Sequence, residues 1–437
     1  MKKANHFYNI SLIPSPNKLR NLNLFWLGFT IYVLTNCFGA TGGYLKIIII
    51  YQAIQLIAII LMFTTAFNLI QFKFDNLYLK FIYILYCIWL CTIILKGFSF
   101  RPDFLKLFFL QGPYRGMLYF SPIILLFPRN FVFYKKVFTV IIIFGIFSFI
   151  YDIIFIKALL NSDRSSTLSQ AIAEAFSALS ISSGFLLLTY SYHSKKKQLF
   201  AIGVIVLALL FAVYRARRGL IFIYGNMILF SYILFIFSSK MKLLIIYLTI
   251  FFGLLGMIYV GGMYKPLESR LFGFLVSRGD EDTREIVETY FYDDMKTKDW
   301  IMGRGIIGEY FCPNVEEGQM TNYRDTIETG YEQTILNGGL LSLGLFLLIA
   351  IPGIIKGIFY SKNVLSKAAG IWILMSIINS YPSTVNAFML QYLLVWLSIG
   401  ICYSKEIREI PESSLKEIFA VSNSSSPILG KKRSRRF

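Results

Sequence analysis

Twelve long apolar runs limit what this chain can fold into. A helix that crosses a bilayer needs roughly 17–25 mostly apolar residues. Of the 437 residues, 56% are hydrophobic and only 15% are charged, whereas soluble domains have about 25% charged residues. We therefore expect an all-α membrane protein of about twelve transmembrane helices with one large extracytoplasmic loop. The runs lie near residues 22–39, 45–67, 77–96, 108–127, 137–157, 170–192, 199–214, 219–237, 243–262, 333–355, 367–381 and 386–403.

Two of these runs are irregular. Gly112, Pro113 and Arg115 interrupt the fourth, and the seventh, 199–214, is short for a membrane helix. The runs divide the chain into five parts. They are an N-terminal tail (1–21), helices one to nine (22–262), a hydrophilic loop (263–332), helices ten to twelve (333–403) and a basic tail (404–437).

The formal charge of +19 indicates orientation. Lysine and arginine are concentrated in the two tails and in short connections near 135–136, 195–197 and 240–242. Twelve crossings place all of these on one face, which the positive-inside rule identifies as the cytoplasm. Both termini are then cytoplasmic. The same charges suit anionic membrane lipids, and without a binding motif they do not indicate nucleic acid as a partner.

The loop 263–332 has the opposite charge. It contains 15 of the 24 acidic and 8 of the 43 basic residues, a net charge of −7, so the rest of the chain carries +26. The topology places the loop outside the cytoplasm. Helical spacing in 280–300 would align Ile286, Val287, Tyr290 and Phe291 in one apolar stripe. We expect a short amphipathic helix there, lying on the membrane surface.

Three arginines contradict the positive-inside rule. One crossing separates Arg215, Arg217 and Arg218 from the basic cluster 195–197, so they lie on the outer face. Two interpretations stay open. The arginines snorkel to lipid phosphates, or they form a pocket for an anion, since guanidinium groups bind phosphate oxygens in pairs. At an outer membrane face that anion would be a lipid-linked phosphate or diphosphate. Helical spacing would put Arg215 and Arg218 on one face.

The loop offers further candidates. Arg284 would lie on the predicted helix, where a solvated charge beside Glu285 is the simpler interpretation. The letters GxGxxG in 303–308 lack a βαβ unit, so we expect a tight turn and no dinucleotide site. Glu328 and Glu332, four residues apart, would face the pocket together. The alternative for Glu332 is an exposed acid at a helix start, favoured by the helix dipole. The remaining candidates are Arg278, Arg304 and Tyr331.

These elements occur in a recognisable order. In that order they resemble the O-antigen ligase and O-antigen polymerase superfamily, integral membrane glycosyltransferases of about twelve helices. The tryptophan that often follows the loop arginine in that family is absent here. The resemblance covers about residues 199–360 and rests on Arg218-Gly219, Arg284, Gly303-Arg304-Gly305, Tyr331 and Gly339.

Histidine marks a departure from the family. Ligases carry a histidine at the position that lines up with Glu328, but this chain has only His6 and His193, neither on the outer side. If the mechanism is shared, Glu328 serves as the base. The difference leaves polymerase, ligase and related transferases open.

The resemblance implies glycosyl transfer at the outer face of a bacterial inner (plasma) membrane, in lipopolysaccharide, capsule or exopolysaccharide assembly. The donor would be an oligosaccharide on a polyprenyl diphosphate such as undecaprenyl diphosphate. The acceptor would be a glycan or a lipid-linked glycan, and a polymerase would also have a chain-length regulator as a partner. No metal or other cofactor would be needed, and the anomeric centre would invert.

The resemblance also assigns roles to residues. Arg218 and Arg284 would stabilise the leaving diphosphate, and Glu328 would accept the proton. The substrate-binding candidates are Arg215, Arg217, Arg278, Arg304, Tyr331 and Glu332.

Two other functional classes remain open. A flippase or transporter of lipid-linked oligosaccharide would also need many helices. It should show repeated halves and should have charges spread through several helices. In this chain Asp152 and Glu174 are the few other charged residues within the predicted helices, and we expect them to pair with the arginines. The other class, a structural or assembly subunit of an envelope complex, predicts no loss of transfer when Arg284 is mutated.

Overall fold

The structure, a computed structural model, describes residues 15–42, 48–110, 116–160, 167–239, 242, 247, 283–313, 321–384 and 386–421. It is 80% helical and has almost no sheet. Strands β1 (Tyr310–Phe311) and β2 (Tyr323–Arg324) pair antiparallel, with Tyr310 opposite Arg324. Two 3₁₀ helices span Gly116–Leu126 and Tyr190–Tyr192. The α-helices are α1 (Pro16–Gly42), α2 (Ile48–Leu69), α3 (Leu77–Leu95), α4 (Pro102–Leu110), α5 (Phe131–Ile154), α6 (Ile156–Leu159), α7 (Thr167–Ser180), α8 (Ser183–Leu188), α9 (Lys195–Tyr214), α10 (Arg218–Ser238), α11 (Thr283–Asp294), α12 (Thr297–Met302), α13 (Gly330–Phe359), α14 (Val364–Asn379), α15 (Leu390–Tyr403), α16 (Lys405–Glu409) and α17 (Glu412–Val421).

Eight helical segments in the described part of the chain are long and apolar enough to cross a membrane. Three further predicted runs appear as shorter apolar helices, Gly116–Leu126, α14 and α15. The ninth predicted run, 243–262, lies outside the described residues. The chain is therefore a multi-pass, all-α membrane protein.

The fourth predicted run, 108–127, does not form one α-helix. Its first residues end α4, and residues 116–126 form a 3₁₀ helix that includes Pro122. Pro122 has no N–H to donate, and its carbonyl accepts from the Tyr83 hydroxyl at 3.1 Å. A 3₁₀ helix rises about 2.0 Å per residue, more than an α-helix. Residues 116–126 therefore span a longer distance than the same number of residues would span in an α-helix.

The seventh predicted run is longer than the sequence suggested. Helix α9 begins at Lys195, inside the basic cluster, and has 20 residues. Such a helix is about 30 Å long, so it reaches across a bilayer core. This helix is therefore not short for a membrane helix.

The bundle has two distinct ends. At one, which we call the loop end, the Gly330 N–H at the start of α13 donates to Ser380 O just after α14, at 2.8 Å. At the other, the tail end, the Asn363 side chain donates to Ile407 O at 2.8 Å, and Lys135 donates to Ile418 O at 2.8 Å. The first part of the predicted tail, 404–421, is thus folded against the bundle. Residues 422–437 lie outside the described ones.

Helix α15 forms the centre of the bundle. All of its residues except Gln391 are buried, as expected for a helix that is apolar all round and packed among others. Trp396 lies at its middle, with the rings of Tyr86 and Phe346 at 5.4 and 6.0 Å. Helix α2, by contrast, exposes Ile49, Ile57 and Phe67, which is typical of a surface that faces lipid.

The loop has a small core of its own. The predicted loop helix forms as α11, but the residues of its apolar stripe differ in their exposure to solvent. Phe291 is fully buried against Tyr310 and Leu336, whereas Ile286 is exposed. The expectation that the whole stripe lies on the membrane is wrong, because its most buried member packs inside the loop and against the start of α13.

Candidate functional site at the loop end

Three segments far apart in the chain meet at the loop end. They are the start of α10, residues 327–332, and the connection 380–384 that follows α14. A Cβ added to Gly219 would lie 2.8 Å from Pro382 O, and one added to Gly330 would lie 3.1 Å from Ser380 O. The Thr384 hydroxyl donates to Ile327 O at 2.9 Å and to Glu328 O at 3.0 Å. The arginine segment and the Glu328 segment therefore pack on the same short connection.

The arginine segment is a turn between two helices. Helix α9 ends at Tyr214, Ala216 adopts a positive φ of 47°, and α10 begins at Arg218. Positive φ is uncommon for a residue other than glycine, and here it reverses the chain. Helical spacing does not apply across this turn. The prediction that Arg215 and Arg218 share a face is therefore wrong.

Arg215 points into the protein. It is only 2% exposed, and its guanidinium donates to Ala158 O at 2.9 Å. The neighbouring Tyr214 hydroxyl donates to Leu160 O at 2.9 Å. Both side chains thus hold the end of α6, where helical carbonyls lack partners within the helix. This position gives Arg215 a structural role beneath the site.

Arg217 and Arg218 lie nearer the surface. Arg218 is exposed and Arg217 is half-buried. Arg217 lies close enough to Glu174 for their charges to attract, as expected for one of the two intramembrane acids. The other, Asp152, is buried, and its Oδ1 has no hydrogen-bond partner among the described residues. The expected pairing of Asp152 with the arginines is not found in this part of the chain.

Glu328 and Glu332 do not face one pocket as a helical pair. Helix α13 begins only at Gly330, so Glu328 lies before it and is exposed. Glu332 is only 6% exposed, and its Oε1 accepts from the Tyr292 hydroxyl at 2.5 Å. The alternative of an exposed acid is wrong for Glu332, although its place in the first helical turn does favour a negative charge.

Tyr331 joins two helices. Its hydroxyl donates to Ile377 O near the end of α14. Because that carbonyl lies next to the 380–384 connection, the bond fixes the start of α13 relative to the segment that carries Pro382. In this structure Tyr331 therefore holds these two segments of the site in position.

Arg304 binds the loop's own acids. Its guanidinium contacts Asp294 at 2.5 Å and Asp299 at 3.0 Å and also donates to Glu309 O at 2.6 Å. Burial alone would raise the pKa of Asp294, but the hydrogen bonds from Arg304 and from the Phe311 N–H hold that pKa below its usual value. A guanidinium shared by two carboxylates stabilises the loop and has little capacity left for substrate.

The glycine turn docks on a break in α13. Gly303 and Gly305 have φ of 63° and 89°, and Gly339 in α13 has φ 68°. The break frees carbonyls of α13, and the turn uses them: Arg304 N–H donates to Leu336 O at 2.7 Å and Gly305 N–H to Asn337 O at 2.9 Å. The expected tight turn is confirmed. Its glycines are needed for backbone-to-backbone contact.

Side chains from α3 complete this docking. The Trp89 indole donates to Gly338 O at 2.8 Å, and Lys96 donates to Met302 O at 2.5 Å. Burial and the charge of Lys298 lower the pKa of Lys96. Neither residue was predicted, because Trp89 binds a carbonyl that becomes available only when α13 breaks and Lys96 binds the last carbonyl of α12.

Arg284 is the second residue of α11, the helix that packs against the start of α13. Arg278 lies outside the described residues.

A second group of residues at the loop end was missed by the sequence. The Thr329 hydroxyl donates to Glu288 Oε1 at 3.2 Å. The ring of Tyr292 stacks on Trp300, with centroids 5.8 Å apart and planes at 10°. The hydrogen bond to Glu332 raises the pKa of the Tyr292 hydroxyl well above its usual value. No motif marks these residues. The one signal in the sequence was that Tyr292 lies on the predicted loop helix.

Within the described residues, no group of three or more His, Cys, Asp or Glu side chains is arranged to hold a metal ion. Metal independence stays a prediction that activity measurements must test.

The comparisons with known proteins add no relative. No protein-family model, curated protein or solved structure matches this chain. The resemblance to O-antigen ligases and polymerases therefore stays a prediction from the sequence motifs and topology.

Proposed function

We propose that this protein transfers or polymerises polyprenyl-diphosphate-linked oligosaccharides at the outer face of a bacterial inner membrane. One observation supports this most. The start of α10, with Arg217 and Arg218, and the segment with Glu328 pack on the same 380–384 connection. An anion-binding group and a carboxylate are thereby held at one end of a membrane bundle.

The arginine side of the site suits a diphosphate. Arg218 is exposed at the first residue of α10, where the helix dipole adds positive potential. Guanidinium groups bind phosphate oxygens in pairs and keep their charge. Arg284, in the first turn of α11, is the proposed second arginine. Arg215 and Arg304 are assigned structural roles, because their guanidinium groups already hold protein oxygens.

The proposed reaction is a single displacement. An acceptor hydroxyl oxygen forms a bond to the anomeric carbon of the donor sugar. The bond from that carbon to the diphosphate oxygen breaks, and the electron pair leaves with the diphosphate. Arg218 and Arg284 stabilise the charge that develops there, and exposed Glu328 takes the proton of the hydroxyl.

Transfer assays on purified protein in proteoliposomes test the proposal. We expect Arg218→Ala and Arg284→Ala each to lower the rate about 10²–10³-fold, the usual effect of losing one charge-stabilising donor. We expect Glu328→Gln to lower it about 10²–10⁴-fold, as for loss of a general base. EDTA should leave the wild-type rate unchanged.

Matched variants control for loss of charge alone. Arg101 and Glu309 are exposed residues near the loop end that take no part in the proposed site. Arg101→Ala and Glu309→Gln should keep wild-type rates. Normal transfer by all three site variants at equal protein levels would overturn the proposal.

A transporter of lipid-linked oligosaccharide is the second candidate, and broken helices favour it. The regular α-helical hydrogen bonding is interrupted between α7 and α8, where Ser182 and Ser183 are buried, and the backbone leaves helical geometry at Gly339. Such breaks at membrane depth line binding cavities in transporters. Buried Asp152 would then serve as a proton or ion site.

The two candidates differ in the role of Asp152. Under glycosyl transfer, Asp152→Asn keeps the transfer rate in proteoliposomes. Under ion-coupled transport, the same variant stops movement of a fluorescent lipid-linked oligosaccharide across the bilayer, and Arg218→Ala produces no loss of a transfer product because none is formed.

A further inference from the structure

The exposed aromatic group at the loop end has the features of a sugar-binding surface. Tyr292 is 48% exposed, although the preceding residue of the same helix, Phe291, is fully buried. Trp300 covers one of its faces at 5.8 Å. A second tyrosine, Tyr381 in the 380–384 connection, is 72% exposed and lies near enough to act electrostatically on Tyr292.

The Tyr292 ring is held in place. Its hydroxyl donates to Glu332 at 2.5 Å, and stacking on Trp300 fixes the plane of the ring. Rigid aromatic rings give large contact area at low entropic cost. The C–H faces of sugar rings pack against such surfaces, so the open face of Tyr292 is ready for a pyranose without rearrangement.

Hydrogen-bond acceptors surround this ring. Glu288 accepts one bond from Thr329 at 3.2 Å and is half-buried. Glu332 is 6% exposed, and its Oε2 has no hydrogen-bond partner among the described residues. Each carboxylate oxygen accepts more than one hydrogen bond, so half-buried Glu288 favours a ligand that donates hydrogen bonds here. Sugar hydroxyls do so.

The charges decide which part of a substrate fits. Half-buried Glu288 places an acidic group at this surface, and like charges repel a diphosphate. A glycan without phosphate suits the surface, whereas the diphosphate suits Arg218, whose neighbour Gly219 packs on the 380–384 connection. Tyr381 belongs to that connection, so the two surfaces are neighbours.

We propose that Tyr292, Tyr381, Glu288 and Glu332 form the binding site for the acceptor glycan, next to the arginines that bind the lipid diphosphate of the donor. The inference rests on the proposed glycosyl transfer and names the site of its acceptor. The ligand class is a neutral or amino-sugar oligosaccharide whose hydroxyls donate to carboxylates and whose ring stacks on Tyr292.

A direct binding measurement tests the site. The probe is the lipid-free oligosaccharide that mild acid releases from the lipid-linked glycans of cells that naturally express the protein. Its affinity for the full chain in nanodiscs is measured by calorimetry, with saturation-transfer NMR to map the contacts. We expect wild-type protein to bind it, and Tyr292→Ala to weaken binding at least tenfold. Tyr292→Phe keeps the ring and should weaken it only a few-fold.

Two variants make the result specific. Tyr323 is another exposed loop tyrosine, packed against Phe311, and Tyr323→Ala should bind as wild type. If Tyr292→Ala does not fold, Tyr381→Ala takes its place, because that side chain is 72% exposed. Wild-type affinity in both Tyr292→Ala and Tyr381→Ala, or no binding by wild type, would overturn the acceptor site.

Kinetics separate this proposal from the proposed function. The acceptor site predicts a raised acceptor KM and an unchanged donor KM in Tyr381→Ala, and unchanged oligosaccharide binding in Arg218→Ala. Oligosaccharide binding without any transfer by wild type would support the glycan site and overturn the proposed transfer. Transfer with an unchanged acceptor KM in Tyr292→Ala and Tyr381→Ala would overturn the acceptor site alone.

Discussion

Burial gives the neighbouring arginines Arg215 and Arg218 different roles. Arg215 is 2% exposed and donates to the carbonyl of Ala158, whereas Arg218 is exposed at a helix start. A buried guanidinium is stable only when protein oxygens replace its water. Arg215 is thus committed to the fold, whereas Arg218 lies at the surface.

The first prediction separates these two residues. Arg215→Ala should lower the free energy of unfolding by about 1.5–3 kcal/mol, the usual contribution of hydrogen bonds from a charged group. Arg218→Ala should leave stability almost unchanged and lower only the transfer rate. Thermal unfolding midpoints in detergent and transfer rates, measured on the same preparations, check this. A stable Arg215→Ala protein would contradict the structural role.

At the scale of elements, the glycine turn and the break in α13 form one unit. The turn supplies N–H groups to the carbonyls that the break leaves free, and Trp89 supplies another. Non-helical backbone at membrane depth is tolerated only where protein satisfies its polar groups. These backbone hydrogen bonds therefore attach the loop to the bundle, together with the packing of Phe291 against Leu336.

Gly339→Ala should break this attachment. Gly339 has φ 68° and ψ −179°, a region that is nearly restricted to glycine. An added Cβ would lie 2.1 Å from Ile301 O. We expect a loss of about 3 kcal/mol of stability and an increase in proteolysis of the loop, measured by timed trypsin digestion.

Gly344 in the same helix provides the control. A Cβ added there meets nothing within 4 Å, so Gly344→Ala should change stability by less than about 1 kcal/mol. Equal digestion rates for the two variants would contradict the docking role of the break.

The Arg304 cluster predicts how loop stability depends on pH. Contacts with Arg304 hold the pKa of Asp294 below its usual value, which is about 3.9 in an unfolded chain. Between the two values the unfolded chain binds a proton that the folded loop does not, so stability rises with pH. The contribution is complete above about pH 5 and is lost as the pH falls through the lowered value.

Melting midpoints recorded from about pH 6 down to about pH 3 test this linkage. The wild-type midpoint should fall on acidification. Asp294→Asn should start lower and fall less steeply, while substitution of its exposed neighbour in Asp293→Asn should follow the wild-type curve. Parallel curves for wild type and Asp294→Asn would show that Asp294 does not contribute.

At the scale of the whole molecule, the two ends of the bundle differ in composition. The tail end has the basic cluster of α9 and the folded segment 404–421, and the loop end has the acidic loop with its few arginines. The positive-inside rule then predicts a cytoplasmic tail end and an outer loop end.

Accessibility labelling tests this orientation. Cysteine is introduced at exposed Glu309 or Lys416 in a chain whose five native cysteines are replaced. A membrane-impermeant maleimide should label Glu309→Cys in intact spheroplasts and Lys416→Cys only after permeabilisation. The cysteine-free chain is the control, and the reverse pattern would contradict the orientation.

Much of the fold follows from local sequence. Apolar runs predicted the membrane helices, because a segment in lipid must pair its backbone N–H and C=O groups within its own helix. Glycine at 303 and 305 predicted a turn for a similarly local reason, since positive φ is easy only for glycine. The 3₁₀ helix Gly116–Leu126 was not predictable, because its geometry depends on contacts such as that between Pro122 and Tyr83.

The candidate site shows the limit of sequence reasoning. Spacing suggested that Arg215 and Arg218, and likewise Glu328 and Glu332, share helical faces, but the helix boundaries fall between the members of each pair. Tyr292 and Glu332 lie 40 positions apart and have no motif, yet they are hydrogen-bonded.

The sequence by itself determined that this chain is a multi-pass helical membrane protein with one acidic loop, because hydrophobicity and helix length act locally along the chain. Only the tertiary structure decided which arginine is buried, which carboxylate is exposed, and which aromatic rings lie beside them. Those properties depend on which distant segments exclude water from each side chain, and water exclusion is set by packing.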